Sequence, residues 1–111
     1  MDVIFHIDET IKWPTVLSNL KHMNEWYKQT GTTGTIELLI NGEAVEQAMK
    51  ASDVNFTEMI DRNIKIAVCQ NSLDQRQIAK EDLKDAVSLV VPSGVVELAI
   101  KQQQGYSYIK P

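Results

Sequence analysis

Apolar and polar positions alternate between two periods along the chain. Val3-Ile4-Phe5-His6-Ile7 is a short β-type run. Trp13, Val16, Leu17, Leu20, Met23 and Tyr27 then recur at helical spacing, with Pro14 suited to the first turn and Gly31 to the end. Thr35–Ile40 reads as a second strand closed by Asn41-Gly42. A broken helical region follows: one short piece from Glu43 to Lys50, and another capped by Asn55 that carries Phe56, Met59 and Ile60. Asn63 is expected to end that second piece in the left-handed conformation. Ile64–Val68 is the third strand and leads straight into Cys69. Ser72-Leu73-Asp74-Gln75 fits a capping box, which predicts Ser72 as the cap of a short helix reaching Ala79. Val87–Val91 is the fourth strand, ended by Pro92. Ser93-Gly94 opens a last helix running to Gly105, and Tyr106–Ile109 forms a final short strand.

Strands separated by helices require crossover connections, so the sheet is expected to be mainly parallel, with about five strands and helices on both faces. The near-continuous apolar runs Ile36–Ile40, Ile64–Val68 and Val87–Val91 suit strands buried on both sides. A chain of 111 residues fits one α/β domain, spanning 1–111, and 43% hydrophobic residues provide a core.

Charge narrows the function. The formal net charge is −4, and the 11 Lys and Arg residues are scattered, so the footprint of a nucleic-acid binder is missing. No apolar stretch is long enough to span a bilayer, and the N-terminus lacks a signal-peptide pattern; a cytoplasmic protein with no membrane partner is expected. A single cysteine excludes an intrachain disulfide, a CxxC redox pair and a cysteine-rich zinc site. No GxSxG, P-loop, GxGxxG or HExxH motif occurs, and Asp53, Glu58 and Asp61 lack a histidine partner; neither a cofactor nor a metal is expected.

In open parallel sheets, ligands bind beyond the carboxyl ends of the strands. The residues there are His6 and Asp8, then Asn41 and Gly42, then Cys69, Gln70 and Asn71, and lastly Pro92, Ser93 and Gly94. Cys69 stands out because it precedes a helix start, where free N–H groups favour the thiolate. The competing reading is a small buried hydrophobe ending a core strand. His6 and Asp8 can supply a base or proton donor, or simply make a hydrogen bond and cap a turn. Ser93-Gly94 can hold an anion or act as an ordinary cap. Glu37, a carboxylate inside an apolar strand, points to an interface, a partner cation or an exposed edge. His22 should face solvent. Trp26 lies off the core stripe, and with Tyr106 and Tyr108 it hints at a protein interface.

The stretch Ile64–Leu73 resembles the cysteine segment of the DsrE/DsrF-like proteins. Val90–Leu98 followed by Gln103–Pro111 resembles the usual ending of that family, and Val3–Asp8 with Trp13 and Asn19 is similar to its start. The resemblance implies a three-layer α/β/α fold and homo-oligomers, commonly trimers or hexamers. It further implies a sulfur carrier of the sulfurtransferase type, in which Cys69 takes sulfur as a persulfide from a donor protein and passes it to an acceptor. In that reading Ser72 sets the helix start, and His6, Asp8, Asn41, Gln70, Asn71, Ser93 and Gly94 line the pocket. Two alternatives stay open: a non-enzymatic homo-oligomeric module binding a small ligand or a protein, with Cys69 merely structural, and a redox sensor oxidised to sulfenic acid.

Overall fold

The computed structural model describes residues 1–111. Five strands form one sheet: β1 (Val3–Ile7), β2 (Ile36–Ile40), β3 (Lys65–Cys69), β4 (Leu89–Val91) and β5 (Ser107–Ile109). Their order is β4-β3-β2-β1-β5, and every pair is parallel. The chain therefore steps one strand at a time from β1 to β4, then returns across the sheet to place β5 beside β1. Four α-helices accompany the strands: α1 (Trp13–Thr30), α2 (Thr57–Asp61), α3 (Gln70–Gln75) and α4 (Gly94–Gln103). Right-handed crossovers place the connections of the outward steps on one face and the return connection on the other.

The burial pattern follows that division. Phe5, Ile7, Leu38, Ile40, Ile66 and Val68 pack under α1 and the short helices in the larger cluster of 21 buried residues. The alternate positions Ile4, Leu39, Ala67 and Val91 meet Leu98 of α4 in a smaller cluster. Period-two alternation thus sends each strand's side chains to opposite layers, and both layers are apolar. Fully burying one such aliphatic side chain contributes about 1.5–3 kcal/mol, so the one-sided anchoring of α4 is the weaker of the two.

Several sequence boundaries move. Gly31 ends α1 with φ +67°, and Asn63 is left-handed at φ +57°, as expected. The Glu43–Lys50 piece is a 3-10 helix over Gly42–Ala48. Asn55 Oδ1 accepts the Thr57 N–H at 2.8 Å, and α2 begins at Thr57. The helix expected to reach Ala79 stops at Gln75, because Gln77 turns left-handed at φ +56°. Ser72 does not cap it; Cys69 occupies the N-cap position. Glu37 is no exposed edge residue, since β2 is the central strand and the side chain is 0% exposed. No helix is long and apolar enough to cross a membrane.

Candidate functional site

A parallel sheet gathers its carboxyl ends along one edge. The register Ile7↔Ile40 and Cys69↔Val91 brings the ends of β1 to β4 together there. Cys69 leaves β3 with extended backbone (φ −76°, ψ 119°) and hands over directly to α3. As the N-cap residue, it holds its sulfur where the free N–H groups of Asn71 and Ser72 gather, although no full capping bond closes. The second contribution comes from across the sheet: the Gly94 N–H, at the start of α4, donates to Cys69 Sγ at 3.2 Å.

Gly94 is required at that place by close approach. A Cβ there would lie 3.2 Å from each of Asn41 Cβ, Cys69 Cβ and Leu39 Cδ1. Glycine lets the first turn of α4 descend onto the sulfur without any neighbour giving way. Ser72 contributes from the first turn of α3. Its Oγ accepts the Gly42 N–H at 2.9 Å, which ties the β2 turn to α3 and leaves the hydroxyl proton for the thiol.

Two opposing influences act on the thiol. Burial pushes its pKa up. The Ser72 hydroxyl and the N–H groups of Ser72, Gly94 and Asn71 favour the anion and outweigh burial, so the Cys69 pKa ends below its ordinary value. The sulfur is therefore a stabilised thiolate precursor, although the residue is only 4% exposed.

His6 stands two strands away on the same layer. Its Nε2 faces Asn41 Oδ1 at 2.8 Å and its Nδ1 faces the Tyr108 hydroxyl at 2.7 Å. Since Asn41 presents an oxygen, Nε2 carries a proton and donates it, and Nδ1 accepts from Tyr108. Both ring nitrogens are thus engaged, and Asn41, itself against Gly94, stands between His6 and the thiol. The geometry suits a hydrogen-bonded brace from β5 through β1 to β2.

The remaining expected residues divide. Asp8 pairs with Lys110 at 3.3 Å, and the Gln70 amide turns to Asp74 Oδ1 at 2.7 Å. Ser93 is the extended N-cap of α4 without a side-chain capping bond, and Asn71 offers its N–H while its side chain is exposed. The structure therefore groups Cys69, Ser72, Asn71, Gly94, Asn41 and His6, and sets Asp8 and Gln70 aside in separate contacts. Tyr108 is the residue that local reading missed. Its signal was the pairing of β5 beside β1, in register Ile4↔Tyr108. No group of three or more His, Cys, Asp or Glu residues is arranged to hold a metal.

The largest surface depression, about 530 Å³, lies on the α1 side of the sheet, lined by Met1, Phe5, Asn19, His22, Met23, Trp26 and Ile109. It has almost no polar chemistry, and none of the grouped residues touches it. Trp26 is 45% exposed at its rim, whereas Trp13 is buried in the core.

A sheet in this order, with a hydrogen-bonded cysteine at the tip of β3, defines a class of small α/β proteins. The sequence matches the DsrE/DsrF-like family over residues 3–111, and the chain belongs to that family. Among solved structures, the chain is similar to a protein of unknown function, MTH1491, from Methanobacterium thermoautotrophicum. The identity is 24%, the TM-score is 0.86, and the match covers 99% of this chain and 98% of that one. It is similar to BT1422, a conserved protein of unknown function from Bacteroides thetaiotaomicron, at 17% identity and TM-score 0.73, covering 99% and 94%. It is also similar to the ychN protein from E. coli at 16% identity and TM-score 0.67, covering 100% of both chains. These likenesses establish the fold. No functionally curated protein matches the sequence.

Proposed function

We propose that the protein is a sulfur carrier of the sulfurtransferase type that uses Cys69 as a transient persulfide. The observation that carries this reading is the Gly94 N–H on the Cys69 sulfur, together with a thiol pKa brought below its ordinary value despite burial. The Cys69 thiolate attacks the outer sulfur of a donor persulfide. A new S–S bond forms, the donor's S–S bond breaks, and the donor leaves as a thiolate. An acceptor nucleophile then attacks the outer sulfur, and Cys69 leaves as the thiolate that the same donors stabilise. A lone cysteine suits this role, because a second thiol in the chain would resolve the persulfide and release the sulfur.

The carrier works in the cytoplasm as a homo-oligomer and meets its donor and acceptor as separate proteins. Val95, Val96 and Ile100 on the outer side of α4 support an assembly face, since all three are exposed aliphatics. Intact mass after incubation with a persulfide donor tests the reading. A gain of one sulfur atom, removed by reductant and absent in Cys69→Ser, is expected. No gain in a protein whose thiol still labels would overturn it.

The deep burial of Cys69 favours a second reading: a non-enzymatic binding module with a structural cysteine. Native thiol labelling separates the two, being rapid for a carrier and slow for a structural residue.

A further inference from the structure

Glu37 has no role in the site described above, yet it is a buried carboxyl group with no compensating donor. It sits mid-strand on β2, is 0% exposed, and no N–H or O–H donor reaches either carboxyl oxygen. An ionised carboxylate in such surroundings is strongly disfavoured. Its side chain shares the α4 layer with Leu39. From β1, apolar Ile4 faces it. From β3, Lys65 Nζ stays 4.0 Å away with a side chain 39% exposed. From α4 come Glu97, within hydrogen-bonding reach, and Lys101, whose ammonium lies over the Tyr106 ring at 5.3 Å. Two carboxyl groups in contact hold together only while a proton lies between them.

Glu97 is not an arbitrary partner. Its N–H closes onto Ser93 O at 3.0 Å, in the turn that begins with Gly94. Gly94 in turn supplies the N–H on Cys69 Sγ, wedged with no spare room between Asn41 and Cys69. One helical turn therefore joins the carboxyl pair to the thiol's donor.

We propose that Glu37 and Glu97 form a proton-sharing latch that seats the first turn of α4 on the sheet and so couples proton binding in the interior to the accessibility of Cys69. The proposal rests on the reading of Cys69 as a reactive thiol only for its consequence, not for the latch itself. With the proton in place, α4 covers the sulfur. When the proton leaves, two carboxylates face each other beneath the helix, its first turn lifts, and the Gly94 N–H draws away. Burial first, then Glu97, raises the Glu37 pKa to about 7, against the weaker opposing pull of Lys101 and Lys65, so release falls near neutral pH.

The test follows the Gly94 amide resonance and the rate of Cys69 alkylation by iodoacetamide across the neutral range, in the wild-type chain, Glu37→Gln and Glu97→Gln. A glutamine at either position donates to the remaining carboxylate at every pH and keeps the latch shut. The expected result is a Gly94 shift with its midpoint near the Glu37 pKa of about 7 in the wild type and none in either glutamine variant. Above that midpoint, the alkylation rate per thiolate, taken with the thiol pKa measured for each protein, should be higher in the wild type than in the variants, with equal rates below it. Should Glu37→Gln fail to fold, Glu97→Gln decides. A flat Gly94 titration in the wild type overturns the latch. Cys69→Ser separates the two ideas: the Gly94 step persisting there, in a protein whose wild type takes up no sulfur, upholds the latch and removes only the carrier.

Discussion

Replacing Gly94 with alanine tests whether the thiol is tuned from across the sheet. The added methyl would meet Asn41 Cβ, Cys69 Cβ and Leu39 Cδ1, each at 3.2 Å. Carbon contacts are comfortable at about 3.5–4.0 Å. Leu39 can turn its methyl aside, but the two Cβ atoms are fixed to strand ends. The start of α4 must give way by a few tenths of an ångström, which lengthens and weakens the 3.2 Å Gly94–Cys69 contact. Overpacking of this kind costs about 1–3 kcal/mol, partly offset by the better helix propensity of alanine. A hydrogen bond to a charged group is worth about 1.5–3 kcal/mol, and about 1.4 kcal/mol corresponds to one pKa unit. Losing even half of the Gly94 bond should raise the thiol pKa by about one unit. The pH dependence of alkylation reads that pKa, and thermal melting reads the packing cost. An unchanged thiol pKa in a variant with lowered thermal stability would refute the reasoning, leaving Gly94 a packing residue and the α3 end as the only influence on the sulfur.

Ser72→Ala removes the acceptor of the Gly42 N–H and the hydroxyl beside the sulfur, so stability should fall by about 1–2 kcal/mol in urea unfolding and the thiol pKa should rise. Glu37 gives the opposite handle on pH: its folded pKa of about 7 lies above the ordinary 4.5, so its favourable contribution is full below 4.5 and is lost as pH rises through about 7. The loss amounts to about 3 kcal/mol, and Glu37→Gln should flatten the dependence of the urea midpoint on pH.

Most of the architecture was legible because parallel strands buried on both faces must be apolar throughout, and Ile36–Ile40, Ile64–Val68 and the run ending at Val91 are nearly so. The rim of strand ends followed from the same runs, whereas family membership was read from the resemblance of Ile64–Leu73, Val90–Leu98 and the two chain ends. Local patterns failed where tertiary contacts compete for the same group. Ser72 and Gln75 satisfy a capping box on paper, but Cys69 already holds the N-cap position, and the Ser72 hydroxyl is taken by Gly42 from another strand. Glu37 read as an interface residue, the partner of a cation or an exposed edge residue, since one strand's composition does not say how many neighbours it has. Tyr108 read only as a hint of an interface; it is 40% exposed, but its hydrogen bond to His6 was not legible because the two lie 102 positions apart and only the return of α4 brings them together.

That return crossing shapes the chemistry. Every group that favours the Cys69 anion belongs either to α3, which follows the cysteine directly, or to the first turn of α4, which reaches it only through tertiary packing. The α3 end cannot move without breaking the strand, whereas α4 is anchored in a cluster of five buried residues against 21 on the other face. Under the proposed carrier reading, the protein must both shield its persulfide and present it, and a cysteine only 4% exposed cannot deliver to a partner while fully covered. On that reading the element to yield is the one with the smaller apolar anchor, and the Glu37–Glu97 pair, with Glu37 buried, lies beneath it. On the proposed carrier and latch readings, shielding and release are two positions of one helix turn, and variants that tighten α4 should protect bound sulfur and slow its transfer together.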